Sequence, residues 1–146
     1  IGIFEATIEK VVALAILMPI VASMGGIAGM QSLALVIRSQ ALDQIGSSNS
    51  RLLIIKEASI GVLNGILWSS VVALAVYLWF NSIFLGIVIA SALMINLIIG
   101  AISGVSLPLI LSKLKIDPAL AGGVILTTIT DIVGFISLLG IATLIM

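Results

Sequence analysis

Cysteine and histidine are both missing from the chain. Their absence excludes disulfides, thiol chemistry, zinc or copper sites of the usual kind and imidazole acid–base catalysis. Any metal held here is held by oxygen, a donor set that suits hard cations such as Mg²⁺, Ca²⁺ and Mn²⁺. Charge is scarce as well, at 8% of residues, against about 25% in soluble domains. Six basic and six acidic residues cancel, so no net charge draws the chain to nucleic acid. No charged residue at all lies between Glu57 and Lys113.

What fills the sequence instead is apolar: 62% of the 146 residues are hydrophobic and the mean hydropathy is +1.44. The runs are continuous rather than alternating, which argues against a β-barrel and for membrane-spanning helices of about 20 residues each. The expected fold is all-α, a polytopic transmembrane helix bundle. Four spans are predicted, at about 11–37, 58–80, 83–111 and 119–146, within a single membrane domain covering 1–146.

Residues 1–10 read either as a short amphipathic lead-in or as the tail of an earlier span. The first full span contains Pro19 and the run Met24-Gly25-Gly26-Ile27-Ala28-Gly29-Met30, so we expect it to be kinked or partly unwound. Broken helices of this kind line ion sites, which makes Gly25, Gly26 and Gly29 candidate pore-lining residues. Gly25 and Gly29 also form a GxxxG pair, which spacing alone assigns to close helix packing. Gly61 with Gly65, and Gly100 with Gly104, repeat that spacing. Asn64 and Asn96 are expected to make interhelical hydrogen bonds. Residues 38–57 form a long polar connection whose Gly46–Ser50 run reads as a flexible loop, and a turn is expected near Asn81-Ser82.

Basic residues gather in the connections 38–57 and 112–118, while the Asn81 turn has none. By the positive-inside rule those two connections are cytoplasmic, and the C-terminus, the Asn81 turn and residues 1–10 are outside. This predicts a multi-pass protein of the cell membrane, inner or plasma membrane if bacterial. The chain begins at Ile1 with no signal-peptide layout, and we expect one upstream span before it, for five in all.

The costliest residue is Asp131, near the centre of the last span. A charge there costs roughly 2.5–3.5 kcal/mol on insertion scales, so it faces a cavity, a partner or an ion pathway. Every basic residue belongs to the ends, leaving protonation, hydration, a partner or a cation to compensate it. Helical spacing sets Gly123, Thr127, Asp131 and Gly134 on one face, the pattern of a lumen-facing helix. If a twofold axis paired two copies, two carboxylates would repel when empty and favour a divalent cation between them. Nothing competes as catalysis: the serines have no histidine, no lysine lies at membrane depth, and Met24-Gly25-Gly26 lacks the context of a phosphate loop. No enzymatic activity is expected. Glu5 and Glu9 read as a solvated helical face.

Three stretches carry a resemblance: MPIVASMGGIAGMQSLALVIRSQAL from Met18, KEASIGVLNGIL from Lys56, and DPALAGGVILTTITDIVGF from Asp117. Together they resemble the membrane domain of MgtE-type magnesium channels, over nearly the whole chain and in order. The resemblance implies a five-helix domain that dimerises and forms its pore mainly from its second and fifth helices, here 11–37 and 119–146. It implies that Asp131 binds a largely hydrated Mg²⁺ and that the backbone carbonyl of Thr127 faces that ion. Ile27 stands where the family has asparagine, Met30 where it has threonine or asparagine, and Gly123 where some members carry a polar side chain. The expected function is a homodimeric channel or transporter carrying Mg²⁺ into the cytoplasm, with Mn²⁺, Ca²⁺ or Co²⁺ as other candidate ions and lipid as surroundings. Two rival readings stay open: a proton- or sodium-coupled carrier in which Asp131 titrates, and a non-transporting assembly subunit.

Overall fold

The computed structural model describes residues 1–44 and 49–146. These residues are helical apart from short connections. A single 3₁₀ turn, Gly2–Phe4, leads into α1 (Glu5–Lys10), followed by α2 (Ala13–Ala41), α3 (Ser50–Phe80), α4 (Ile83–Lys113) and α5 (Pro118–Ile145). The four long helices are each apolar and long enough to cross a membrane. At 28 to 31 residues, each spans about 42–46 Å, longer than the roughly 30 Å hydrocarbon core. Their ends therefore reach into the headgroup layer or the helices tilt.

Local chemistry explains where each helix stops. α2 and α4 end in the same motif: Gln44 N–H donates to the Ser39 carbonyl and Asp43 N–H to Gln40, while Ile116 N–H donates to Leu111 and Lys115 N–H to Ser112. Asp43 and Lys115 take the left-handed conformation that this cap requires, with φ of 53° and 58°, where glycine is the usual choice. The expected Asn81-Ser82 turn is tight. Asn81 is left-handed and closes α3 on the Tyr77 carbonyl, and Ser82 Oγ accepts from Leu85 N–H to start α4. Asp117 caps α5 by accepting from Ala119 N–H at 3.0 Å, with Pro118 at the first helical position, where its missing donor is harmless.

Two expectations are corrected. The partly unwound alternative for α2 is overturned: the helix runs continuously through Pro19 and the glycine run, with Gly25 and Gly29 held in a packed seam against α4. α3 begins at Ser50, so Arg51, Lys56 and Glu57 belong to a helix and not to the connection. The expected loop at Gly46–Ser50 lies largely outside the described residues.

α4 is the axis of the bundle, with α2, α3 and α5 packed around it and α2 also packed on α5. The α2–α4 seam is backbone against backbone. A Cβ on Gly100 would stand 2.6 Å from the Gly25 carbonyl oxygen, and one on Gly104 would strike the Gly29 carbonyl. Gly61 and Gly65 meet Ala101 and Met94 in the same way on the other side of α4. All three small-xxx-small pairs are thus used for close approach. The outer surface is hydrophobic, with Leu63, Leu74, Leu78 and Leu120 among the exposed side chains, as lipid contact requires. Trp79 and Tyr77 stand exposed by the Asn81 turn, where aromatic rings favour the interface.

The two ends of the bundle are distinct. Gln40 Nε2 donates to Ser112 Oγ at 3.1 Å, joining the two basic connections at one end. At the other, α1 folds against α5 through a hydrogen bond between the hydroxyls of Thr7 and Thr143, 2.8 Å apart. Thr7 is buried there while Glu5, Glu9 and Lys10 remain exposed.

Candidate functional site

α5 carries two adjacent stripes of different use. Gly122, Leu126, Thr130 and Gly134 are buried against the bundle, while Thr127 and Asp131 are exposed one step around the helix. Gly134 therefore leaves the polar face on which spacing put it. Its position is filled instead by the Asn96 amide and Val21 of the neighbouring helices.

Thr127 and Asp131 border a groove of about 550 Å³ whose other wall is α2. From α2 come Ser23, Gly26, Ile27, Met30 and Gln31. Among the described residues, no lysine or arginine lines it. Of the three glycines proposed for the α2 wall, only Gly26 reaches this groove; Gly25 and Gly29 face α4. Gly123 lies beneath Met30, whose thioether would sit 3.5–3.6 Å from a Cβ added there. Ile27 is 60% exposed and Met30 42%, so an apolar rim stands around the carboxylate.

Oxygen is the only donor atom the groove presents to a hard cation. Asp131 contributes a carboxylate, Gln31 an amide oxygen and Ser23 a hydroxyl. Ser23, Ile27 and Gln31 recur at four-residue intervals, the helical-face signal that would have singled out Ser23 and Gln31. The threonine hydroxyls bond to their own helix: Thr127 Oγ1 donates to the carbonyls of Gly123 and Val124 at 3.0 and 3.1 Å, and Thr130 Oγ1 donates to the Thr127 carbonyl at 3.1 Å. The Thr127 carbonyl thus already accepts a hydroxyl, and an approaching ion competes with that bond. Among the described residues no group of three acidic side chains could enclose a metal. One chain therefore offers a single carboxylate on an open wall, suited to an ion that keeps most of its water.

Two polar residues inside the spans behave differently from one another. Asn96 is fully buried and donates to the Val21 carbonyl at 2.7 Å, the interhelical bond expected of it. Asn64 makes no side-chain hydrogen bond among the described residues and borders a second cavity of about 260 Å³ with Trp68 and Gln31. Glu57, hidden from composition-based reading by its place beside Lys56, is buried and accepts from Ser32 Oγ at 2.8 Å.

Four membrane-length helices among the described residues, and a largely apolar groove that carries one carboxylate and no described basic residue, define a multi-pass membrane protein. The family model for MgtE, described as a divalent cation transporter, matches residues 18–141. The chain belongs to this family. It is 41% identical over 143 residues to the magnesium transporter MgtE of Bacillus subtilis, covering 98% of this chain and 32% of that protein. It is 32% identical to the magnesium transporter MgtE of Thermus thermophilus and 29% identical to that of Enterococcus faecalis, with the same coverage. The chain thus spans about a third of the length of these curated relatives.

Proposed function

We propose that this chain forms the ion-conducting membrane domain of a protein that carries Mg²⁺ into the cytoplasm, through a pore between two copies. The observation that carries the proposal is the position of Asp131: exposed at membrane depth in a groove that no described basic residue lines. A charge at that depth is costly without compensation, and a divalent cation compensates two carboxylates at once. The relatives named as magnesium transporters support Mg²⁺ as the cargo.

In this reading the four helices are the second to fifth of the family's five, and α2 and α5 of each copy face the twofold axis. Asp131 of each copy holds the hydrated ion, with the Thr127 carbonyl one turn away and Gly26 and Gly123 keeping the walls low. Mg²⁺ sheds water reluctantly, so two carboxylates acting through retained water bind it firmly enough to select and weakly enough to release. Ile27 and Met30 narrow the passage with apolar groups, and Gln31 and Ser23 offer further oxygens on the α2 wall. The basic connections face the cytoplasm, and the membrane potential drives the cation inward.

The test is Mg²⁺ uptake into proteoliposomes by the complete protein. Asp131→Asn and Asp131→Ala are expected to reduce flux at least tenfold while the protein still folds and inserts. Wild-type flux in either variant would sink the proposal. Flux in the wild type that needs an opposing proton or sodium gradient would replace the channel by a coupled carrier.

A further inference from the structure

Behind the groove, one side chain of α4 reaches between the two helices that form it. Asn96 is 0% exposed. Its Nδ2 donates to the Val21 carbonyl of α2 at 2.7 Å, and its Oδ1 is buried without a hydrogen-bond partner among the described residues. An amide can make about four hydrogen bonds, and an unmade one in the interior is unfavourable. An aliphatic side chain of the same size would avoid that cost, yet an amide stands here.

The space around the amide is cut to its shape. A Cβ on Gly25 of α2 would collide with the Asn96 amide, and one on Gly134 of α5 would stand 2.8 Å from Nδ2 and 3.3 Å from Val21 Cγ1. Both helices therefore approach Asn96 only because they present glycine. Each contact adjoins the groove. Val21 and Gly25 are followed in sequence by Ala22 and Gly26, both of which line it. Gly134 follows Asp131 by three residues, a rise of about 4.5 Å along α5.

We infer that Asn96 is a positioning residue of the ion pathway: wedged between Gly25 and Gly134 and bonded to Val21, it sets the separation of α2 from α5 at the depth of Asp131. The inference rests on the groove being the ion path. It goes further in assigning the width of that path to an amide on a helix that does not line it. Because the directional bond to Val21 fixes the sliding position of α4 along α2, a side chain of equal bulk without that bond leaves the helices packed but lets their register relax.

The experiment compares the complete protein with Asn96→Leu, Gly134→Ala, and Gly134→Ala combined with Asn96→Ala, reading Mg²⁺ flux against concentration, discrimination against Ca²⁺, and thermal stability in detergent. Wild-type Mg²⁺ flux that is absent from Asp131→Ala establishes the underlying reading separately. Asn96→Leu is expected to fold, and to change half-saturating Mg²⁺ or the Mg²⁺/Ca²⁺ ratio at least fivefold. Gly134→Ala is expected to lower flux at least tenfold, and the added Asn96→Ala to raise it again at least threefold by removing the clash, with the Mg²⁺/Ca²⁺ ratio still altered because the bond to Val21 is gone. Asn96→Leu with both transport parameters within twofold of wild type overturns the inference. Should that variant fail to fold, the paired substitutions decide: failure of Asn96→Ala to rescue Gly134→Ala overturns it.

Discussion

Two carboxylates lie within the membrane-length helices, and their surroundings assign them different work. Asp131 is open to a groove. Glu57, at 5% exposure, is enclosed and takes a hydrogen bond from Ser32 of α2, so it ties α3 to a helix on which it otherwise scarcely rests. Removing the donor of a buried hydrogen bond leaves its acceptor unsatisfied, at about 1–3 kcal/mol. Ser32→Ala is therefore expected to destabilise the protein by about that amount, measured by unfolding in detergent. Glu57→Gln, whose amide oxygen can still accept, costs less. Ser59→Ala, at an exposed serine bonded only within its own helix, serves as the reference; a loss no greater for Ser32→Ala would refute the role given to the pair.

At the scale of elements, the bundle depends on how closely helix backbones approach α4. Gly104 is where another helix's backbone comes nearest, since its Cβ would meet the Gly29 carbonyl and lie 2.8 Å from Ser32 Cβ. No flexible side chain can yield there, and overpacking of a dense interior costs about 1–3 kcal/mol or more. Gly104→Ala should lower the unfolding temperature accordingly. Gly140 has nothing within 4 Å of an added Cβ, and Gly140→Ala in the same assay should be neutral or gain about 0.5–1 kcal/mol from helix propensity. Equal effects at the two positions would contradict the packing described for the seam. The closeness of the seam also explains why α2 stays helical where its glycines suggested a break. A glycine-rich helix unwinds when its backbone must serve a ligand, and here the same backbone is in contact with α4 from Gly25 to Gly29.

At the scale of the molecule, these 146 residues hold no cysteine, so an engineered thiol is the only one among the described helices. Thr127→Cys faces the groove and should react with a water-soluble thiol reagent, more slowly as Mg²⁺ is raised; Leu126→Cys, at a position 0% exposed, should not react. Labelling of Thr127→Cys that ignores Mg²⁺ would separate this face from the ion path. With an impermeant reagent, Ser82→Cys should label from outside and Gln44→Cys from the cytoplasm, and the reverse pattern would invert the proposed orientation. Much of this frame was legible in the residues themselves. Apolar run lengths determine four spans, charge gathers toward the ends of those spans without fixing where each helix begins, and an uncompensated Asp131 marks the proposed pathway, because bilayer insertion penalises charge wherever it falls. Periodicity could not decide which of two neighbouring stripes on α5 turns inward, since Gly134 fits either. Nor could it tell that Glu57 is enclosed rather than at a helix entrance, or that Gly26 alone of the three α2 glycines reaches the groove. Those assignments depend on what stands opposite each residue, and only the packing of α2, α3 and α5 around α4 supplies it.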